Sequence, residues 1–563
     1  EDGIRDRSPS RGLGDVYKRQ IFLLCLMSVM LFGLFARSFY LQYLESDFLN
    51  SEGDKKHIKN KTIPANRGSI YDKNGVPLAV SVPVYRLIVD PKTLLKRDNY
   101  SQLLSSLSKI ISKPEREIDS EIRKRSSKRY FVLKRELRKS EVEIVRKDNF
   151  GNYIWLETFY KRFYPNGETS SHLLGFTDNE GRGQEGLEYA LNKGLSGTNG
   201  LKKTLTDVHQ KSIADVEIIN DPIIGEDFYA SIDIKIQHFA HQALKSAIEK
   251  NNAKGGSVVV MDVTTGEILA ISNQPAGDLS FSENRTPKLY KNKAVTDKFE
   301  PGTTFKTLTM AAALKYQIFE PEDVIDTSAY KIGARTIKDP RDHGILTMEE
   351  VLIKSSNTGI SKIALEIDPC DLFTFFNSLG FGQVTSSGFP GEASGTLDYQ
   401  CSRWREGMIA SLSYGYNVDI SLIQLAGAYA AIANGGIRKP ITLKKIDDEK
   451  LDGDRILSEQ TSRDIISMLE NVAVRGAPRA KINGYRIGGK TGTAQIAAAN
   501  YASDKHNALF VGIAPLTKPR IAIAVIVNEP GGNEYYGGEV AAPVFSEIGS
   551  HTLRLLGIAP DDK

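Results

Sequence analysis

The first long hydrophobic stretch of the chain runs from Ile21 to Ala36, sixteen residues without a charged side chain. At about 1.5 Å per residue, a helix of this length spans only about 24 Å, less than the roughly 30 Å hydrocarbon core of a membrane. Apolar residues resume after Arg37 and continue to Leu44, which extends the span to about 36 Å. No A-x-A-like cleavage site follows, so we predict one uncleaved transmembrane helix over residues 21–44.

Between residues 45 and 223 the pattern mixes short strands with charge-rich helices. Residues 67–75 predict a strand that enters an Asn-Gly turn, and residues 80–90 alternate as the partner strand. Residues 101–147 are charged and carry apolar side chains at helical spacing. We predict an α/β domain, and we interpret the charge run 116–147 as a solvated helical face.

The C-terminal half contains two sets of strands at its two ends. Residues 257–263 and 267–272 form one predicted hairpin, and residues 508–513 and 520–527 form apolar strands far downstream. The roughly 230 residues between the two sets are mostly helical in pattern. The simplest assembly is one antiparallel sheet built from both ends, with helices on its faces, in an α+β fold.

Composition excludes several classes of protein. A chain of 563 residues with 40% hydrophobic and 25% charged residues is globular and holds several domains. The net charge of +4 is too weak to favour nucleic-acid binding. HExxH, GxSxG and Walker-type motifs and CxxC pairs are absent, so we expect no metal site and no cofactor. Cys25 lies in the apolar run; we expect Cys370 and Cys401 to be free thiols, with one disulfide between them as the alternative.

The first twenty residues lack an initiator methionine and contain GLGDVYKRQ, which resembles translated sequencing-adapter sequence. We therefore expect residues 1–20 to be non-native or a cytoplasmic tail, and we give them no structural weight.

The first chemical motif is Glu-Pro-Gly-Thr-Thr-Phe-Lys, residues 300–306. Pro-Gly breaks the chain before a good helix-forming segment, so Thr303 lies near a helix N-terminus with Lys306 one turn on. The spacing puts a hydroxyl and an amine on one face. A lysine activates an alcohol only if burial or a second cation lowers its pKa. Taken alone, however, the motif is weak, and a helix N-cap at Thr303 is the simpler interpretation.

Two further motifs supply the remaining groups. Ser355-Ser356-Asn357 alone predicts a turn or helix cap. Lys490-Thr491-Gly492-Thr493 offers a second cation, two hydroxyls and a glycine that permits close backbone approach, but alone it also fits a strand edge.

In this order the three motifs match the signature of penicillin-binding proteins and class A β-lactamases. Further strings of the same kind are RGSIYDKNGVPLAVSVPV, RFYPNG, QEGLE, SYGYN, QLAGAYAAIANGG and YGGEVAAPVF. Over about residues 20–555 the chain resembles the class B penicillin-binding proteins, more the septal FtsI type than the elongation type. The resemblance implies a pedestal domain of the dimerisation type over 45–223, a transpeptidase domain over 224–556 with a five-stranded antiparallel sheet flanked by helices, and a tail over 557–563.

The resemblance also implies roles for the motif residues. Thr303 occupies the nucleophile position and Lys306 the base position. Ser355 relays a proton, Asn357 positions the substrate amide, and Lys490 tunes the network electrostatically.

Substrate binding is expected from the remaining motif positions. Ser356, Thr491, Gly492 and Thr493 are assigned to the substrate, with the two threonines on its terminal carboxylate. The N–H groups of Thr303 and Thr493 are assigned to an oxyanion hole.

The implied reaction is D,D-transpeptidation of peptidoglycan stem peptides ending in D-Ala-D-Ala, with β-lactams acylating the same hydroxyl. The implied setting is the bacterial inner membrane, with a single span, the catalytic domain in the periplasm, and other divisome membrane proteins, including a septal glycosyltransferase, as partners.

One departure from the family pattern is serious, because Thr303 stands where the family has serine. The added methyl group restricts the side-chain rotamer and crowds the substrate. Three interpretations compete: a slower threonine nucleophile, a serine lost through a sequence error or an engineered change, or an inactive member of the division machinery. A scaffold role is therefore the main rival to catalysis, and a secreted β-lactamase is a second rival that the predicted anchor disfavours.

Outside the motifs, His172 is predicted to be packed rather than catalytic. Arg67 and Glu185 are predicted either to anchor the junction between the domains or to form ordinary salt bridges.

Overall fold

The computed structural model describes residues 11–148, 150, 153–206, 212–279, 289–447, 452–496, 505–532 and 534–562. Ten residues of the suspect N-terminal segment, 1–10, therefore lie outside the described part. The described chain forms a long N-terminal helix followed by mixed helices and sheets, which confirms the predicted α+β class.

The first helix, α1, spans Arg11–Phe39 and continues as a π-helical turn over Tyr40–Leu44. Residues Val16–Leu44 are long and apolar enough to cross a membrane, and the protein buries none of them. Exposed apolar surface of this extent needs lipid around it, so the chain is membrane-anchored. The Arg37 guanidinium lies 5.3 Å from the centroid of the Tyr40 ring, and this contact pairs the charged side chain of the segment with an aromatic face.

The N-terminal domain follows a polar helix, α2 (Ser46–His57). Its strands are β1 (Ile58–Ile63), β2 (Ile70–Tyr71), β3 (Pro77–Val89), β4 (Phe131–Lys134), β5 (Ile154–Phe163), β6 (Gly200–Thr206), β7 (Ser212–Asn220) and β8 (Phe228–Tyr229). Its helices are α3 (Pro91–Leu94), α4 (Tyr100–Ile111), α5 (Glu115–Arg123), α6 (Lys139–Lys147), α7 (Ser171–Leu174), α8 (Gly186–Ala190) and α9 (Asn192–Leu195). One sheet has the order β1-β6-β7; the other has the order β4-β3-β2-β8, with β5 on β3.

The predicted hairpin is present as the antiparallel pair β2–β3. The predicted helical region 101–147 needs a correction, because strand β4 interrupts it. Val132 pairs with Ile88 of β3, so tertiary pairing overrides the local helical pattern there.

The C-terminal domain adds the remaining strands and helices. The strands are β9 (Gly255–Asp262), β10 (Ile268–Gln274), β11 (Val324–Asp326), β12 (Tyr330–Ile332), β13 (Arg335–Ile337), β14 (Ile345–Thr347), β15 (Ile437–Arg438), β16 (Asp454–Arg455), β17 (Gly488–Gln495), β18 (His506–Ala514) and β19 (Ile521–Asn528). The helices are α10 (Ile234–Lys250), α11 (Lys293–Thr296), α12 (Lys306–Lys315), α13 (Met348–Ile353), α14 (Asn357–Leu365), α15 (Pro369–Ser378), α16 (Glu406–Ser413), α17 (Leu422–Ala433), α18 (Glu459–Gly476), α19 (Gly537–Val540) and α20 (Ala542–Leu555).

A five-stranded sheet of order β10-β9-β19-β18-β17 organises this domain, and all its pairs are antiparallel. The prediction that both ends of the domain contribute to one sheet is confirmed. Alternate strand residues point to opposite faces, so Val258 packs on the side of α10 and α20 while Val259 packs on the side of α12 and α17. Strand β17, which carries the third motif, is an edge of this sheet.

A buried ion cluster lies within the N-terminal domain, close to its junction with the C-terminal domain. Glu188 accepts from Arg67 Nε at 2.7 Å and from Arg162 Nε at 2.6 Å. Glu185, the other residue predicted to anchor the junction or to form a salt bridge, is exposed, and the carboxylate that binds Arg67 belongs to Glu188. His172 is packed, as predicted, and burial lowers its pKa to about 3.

The expectation of free thiols at Cys370 and Cys401 is wrong, because the two residues form a disulfide bond. Cys370 lies in the first turn of α15 and Cys401 in a short 3-10 turn before α16, with Cα atoms 5.0 Å apart. The fold brings together two segments that are 31 residues apart in the chain.

Candidate active site

The first motif forms a 3-10 turn, Gly302–Phe305, that runs directly into α12. The first residue of the turn has a positive φ of 55°, and its N–H donates to the carbonyl oxygen of Gly415 at 3.1 Å. The Tyr429 hydroxyl, from α17, donates to a carbonyl oxygen inside the turn at 2.8 Å. Backbone and side chain together therefore hold Thr303 and Lys306 in the predicted one-turn relation.

The amine of Lys306 is enclosed by the protein, with 0% of the residue exposed. It donates to the backbone oxygen of Ser355 at 2.5 Å and to Ser355 Oγ at 3.3 Å. Burial, and then the positive charge of Lys490, lower the pKa of Lys306 well below its ordinary value, and the opposing effect of Asp339 is smaller. The lowered pKa favours the neutral amine, the form that can accept a proton.

The second cation reaches the same serine from the sheet. Lys490, on β17, is 2% exposed and donates to Ser355 Oγ at 3.2 Å. Burial lowers the pKa of Lys490 to about 8. The Ser355 hydroxyl thus lies between two buried amines that are 184 positions apart in the sequence (306 and 490), and the three motifs converge on one site.

The hydroxyl of Thr303 makes a different contact. It donates to the carbonyl oxygen of Thr491 at 2.7 Å, on the edge strand β17. Thr303 is partly exposed, whereas the adjacent Thr304 is fully buried. The turn therefore presents one hydroxyl to the cleft and holds it against the strand, while the amine of Lys306 is directed to Ser355.

The Ser-Ser-Asn motif is a sharp turn followed by a helix. Ser355 has a positive φ of 53°, and Ser356 is the N-cap of α14, its Oγ accepting from the N–H of Gly359 at 2.8 Å. Ser356 is 1% exposed and also donates to Asp339. The structure thus gives this predicted substrate-binding residue a capping position inside the domain, and reasoning from motifs overlooked Asp339.

Along β17 the side chains alternate. Thr491 and Thr493 are partly exposed, whereas Gly492 is buried against the first motif. A Cβ at Gly492 would lie 2.9 Å from the Cγ2 of Thr304, so only glycine permits this approach of strand to turn. Thr493 Oγ1 accepts from the N–H of Gly537 at 3.2 Å, which orients that hydroxyl.

Asn357 opens onto a cavity of about 410 Å³. Its other lining residues include Arg335, Tyr414, Tyr416 and Gln495, which are supplied by β13, the segment after α16, and the end of β17. The SYGYN string, noted in the sequence without a role, supplies the two tyrosines. The cavity borders the second motif at Asn357 and the end of β17 at Gln495, and its volume lies within the range of small-molecule sites.

Comparisons with known proteins identify both domains. The penicillin binding protein transpeptidase domain matches residues 256–550, and the penicillin-binding protein dimerisation domain matches residues 62–230. The chain belongs to the class B penicillin-binding proteins. This membership confirms the resemblance and makes the protein a member of the serine penicillin-binding enzyme family.

Curated relatives cover nearly the full chain. A probable peptidoglycan D,D-transpeptidase PenA of Neisseria meningitidis is 36% identical over 96% of this chain and 93% of its own length. The peptidoglycan D,D-transpeptidase FtsI of Escherichia coli K12 is 34% identical over 95% and 91%. Among solved structures, a peptidoglycan synthetase from Bifidobacterium adolescentis has a TM-score of 0.72 at 25% identity, covering 90% of this chain and 98% of that structure.

Proposed function

We propose that this class B penicillin-binding protein is a peptidoglycan D,D-transpeptidase that cross-links stem peptides through an acyl-enzyme on Thr303. The observation that supports it is the meeting of Lys306 and Lys490 on Ser355 Oγ beside the turn that carries Thr303. Hydroxyl, neutral amine and second cation are the parts that nucleophilic acyl transfer requires.

In the first half-reaction Thr303 Oγ1 attacks the carbonyl of the penultimate D-alanine. Its proton passes to the neutral amine of Lys306, and the carbon–nitrogen bond to the terminal D-alanine breaks. The protonated Lys306 and Ser355 return the proton to the leaving amine. In the second half-reaction an amine from a neighbouring stem peptide attacks the ester, and the same groups take its proton and restore the Thr303 hydroxyl.

The substrate is held by the edge of β17. Thr491 and Thr493 bind the terminal carboxylate, and the N–H groups of Thr303 and Thr493 stabilise the developing oxyanion. Asn357 binds the amide of the stem peptide. A β-lactam presents the same carboxylate and a strained amide to this surface, so it acylates the same hydroxyl.

We infer the cellular setting from the anchor and from the names of the relatives. The single span lies in the bacterial inner membrane, and the catalytic domain lies in the periplasm, where peptidoglycan is assembled. The septal role follows from the relative named FtsI, and a septal glycosyltransferase and other divisome membrane proteins are the expected partners.

A second function is favoured by one contact of the site. The Thr303 hydroxyl donates to Thr491 rather than toward the amine of Lys306. A threonine held in that rotamer by its β-methyl group is a poor nucleophile. On this alternative the protein is a catalytically impaired divisome scaffold.

Restoring the family's nucleophile separates the two functions. The Thr303→Ser variant is expected to acylate with a fluorescent penicillin about a hundredfold faster than the native chain, because misplacing a reacting atom by about 1 Å costs about that factor. The measurement is the rate of covalent labelling of the purified full-length protein in detergent, resolved on denaturing gels.

Thr303→Ala, which lacks a hydroxyl, is the matched control and should take up no label. Slow labelling of the native chain supports the transpeptidase. Labelling of the serine variant with none on the native chain supports the scaffold, and failure of both chains to label rejects the acyl-transfer proposal.

The acylation rate is also expected to depend on pH through Lys306. Its pKa is lowered by burial and by Lys490, so the amine is neutral, and active as a base, down to pH values well below 10.5. The rate then falls on the acid side as Lys306 gains a proton. Lys490→Met removes the second positive charge, so the pKa of Lys306 rises. The pH at which the acylation rate falls to half its plateau value therefore moves to higher pH. If this half-maximal pH is unchanged or lower in Lys490→Met, the charge of Lys490 does not lower the pKa of Lys306.

A further inference from the structure

The cavity beside Asn357 has a basic wall. Arg335, on β13, and Lys338, just after that strand, line it and carry exposed cationic side chains. None of the described residues that line the cavity is an aspartate or a glutamate; the others are Thr336, Ile337, Asn357, Ser411, Tyr414, Tyr416, Asn417 and Gln495. Two positive charges on one concave wall raise the local concentration of anions. The cavity is therefore suited to a negatively charged group.

The guanidinium of Arg335 is held at this wall by a buried hydroxyl. Its Nη1 donates to Ser411 Oγ, in α16, at 3.0 Å. Ser411 is 2% exposed, and its own hydroxyl donates to the carbonyl oxygen of Gly407 at 2.9 Å. An arginine has five N–H donors in one plane, and this contact uses one of them. The other donors remain for a ligand, and the planar guanidinium matches a carboxylate in two parallel hydrogen bonds.

The protein does not neutralise these two cations itself. In the described part of the chain, neither Arg335 nor Lys338 forms an ion pair with a carboxylate. Burial raises the pKa of Tyr416, Glu300 raises it as well and Arg335 lowers it, so both charges act on this phenol. Glu300, however, accepts from the backbone N–H of Asn417 at 3.1 Å. A carboxylate brought by a ligand would supply the partner that Arg335 lacks.

The place of the cavity indicates which part of the substrate reaches it. It borders Asn357, to which the stem-peptide amide is assigned, and Gln495, the last residue of β17. The same strand carries Thr491 and Thr493, to which the terminal carboxylate is assigned. A peptide that binds along this edge with its terminus on the threonines extends its upstream residues toward the cavity.

We propose that Arg335, with Lys338 beside it, is a specificity-determining residue that binds a free side-chain carboxylate on the stem-peptide residue preceding D-Ala-D-Ala. This inference rests on the proposed transpeptidase function and names the class of its substrate. The peptide concerned is the acyl donor, because Asn357 and β17 bind the acyl donor in that function.

The test uses two synthetic stem peptides whose terminal D-alanine is replaced by a thioester leaving group. They differ at one group, a side-chain carboxylate or carboxamide on the residue before the reacting D-alanine. In the full-length Thr303→Ser chain in detergent we expect kcat/KM to be about tenfold higher for the carboxylate, mainly through KM, because a hydrogen bond to a charged group is stronger. Arg335→Gln should bring this ratio close to one. Arg335→Lys keeps the charge but not the planar donors and should give an intermediate ratio.

Arg341→Gln is the matched control. Arg341 is exposed, follows β13 on the same segment and does not line the cavity, so its variant loses an equal charge elsewhere. It should keep the parent's ratio. A ratio near one in the parent, or equal ratios in Arg335→Gln and Arg341→Gln, overturns the inference. A carboxylate preference that appears only in the amine-bearing acceptor peptide also overturns it.

Binding without chemistry separates this inference from the proposed function. In Thr303→Ala, the dissociation constants of the carboxylate and carboxamide peptides ending in D-Ala-D-Ala are measured by ligand-observed NMR. Weaker binding of the carboxylate peptide after Arg335→Gln, and not after Arg341→Gln, supports the carboxylate site. That result holds even if neither the native chain nor Thr303→Ser forms an acyl-enzyme, which would reject the proposed function alone. Equal affinities for the two peptides overturn the carboxylate site.

Discussion

Replacing Lys306 by methionine is expected to slow acylation by a fluorescent penicillin about a thousandfold, the usual contribution of a general base. Lys306 is the fully buried amine of the first motif, and its hydrogen bonds run to Ser355. Without it the Thr303 proton has no acceptor at the start of the reaction. The loss is measured as the second-order rate of labelling in a background that labels measurably, native or Thr303→Ser.

The same variant should fold at least as well as the native chain. Methionine has nearly the length of lysine and no charge, so it removes the cost of burying an amine without leaving a cavity. A thermal unfolding midpoint equal to or above the native value is the expected result, measured by circular dichroism.

Lys315→Met is the matched control, because Lys315 ends the same helix, α12, and its amine lies 5.2 Å from the centroid of the Phe375 ring. This control should label at the native rate. If Lys306→Met also labels within a few-fold of its parent, Lys306 is not the base. A collapse of its unfolding midpoint makes the rate uninformative about catalysis and contradicts the stability prediction.

The second large effect is on stability. Glu188→Ala is expected to lower the free energy of unfolding by about 3–5 kcal/mol, the usual cost of removing one partner from a buried ion pair. The side chains of Glu188, Arg67 and Arg162 are 0%, 7% and 2% exposed, so two guanidinium groups would be left buried without their shared carboxylate. Denaturant unfolding followed by circular dichroism measures the loss.

Glu188→Gln keeps one hydrogen-bond acceptor and should fall between the native chain and the alanine variant. The control is Glu180→Ala, whose partner Arg182 is 66% exposed and which is itself 71% exposed. An exposed pair contributes little, so that variant should unfold almost as the native chain does. Equal losses in Glu188→Ala and Glu180→Ala would show that the cluster does not hold the domain together.

Much of the architecture could be predicted because the hydrophobic pattern of a short segment indicates its secondary structure. Three kinds of segment could be predicted from a few neighbouring residues. They are the apolar run before Arg37, the strands near residues 257 and 508, and the Asn-Gly turn at Gly75. The assignment of the three motifs to one site could be predicted for a related reason. Their chemistry requires a nucleophile, a base and a substrate-binding strand, and few sequences place these in that order by chance.

Other features depend on contacts between distant segments. Asp339 accepts hydrogen bonds from the backbone N–H groups of Asn357 and Thr358 because its loop lies against the start of α14. Glu188 accepts a hydrogen bond from Arg67, whereas Glu185 is exposed, because the helix places the Glu188 side chain on its buried face. The bond between Cys370 and Cys401 required the start of α15 and the turn before α16 to lie side by side.

The amino-acid sequence by itself predicted the apolar anchor helix, the antiparallel sheet and the candidate site residues, because periodicity and motif spacing are properties of neighbouring positions. The tertiary structure alone decided which charges are buried together and which acceptor the Thr303 hydroxyl takes. Burial lowers the pKa of Lys306 and so favours its neutral form, and that burial is produced by packing of segments that lie far apart in the chain.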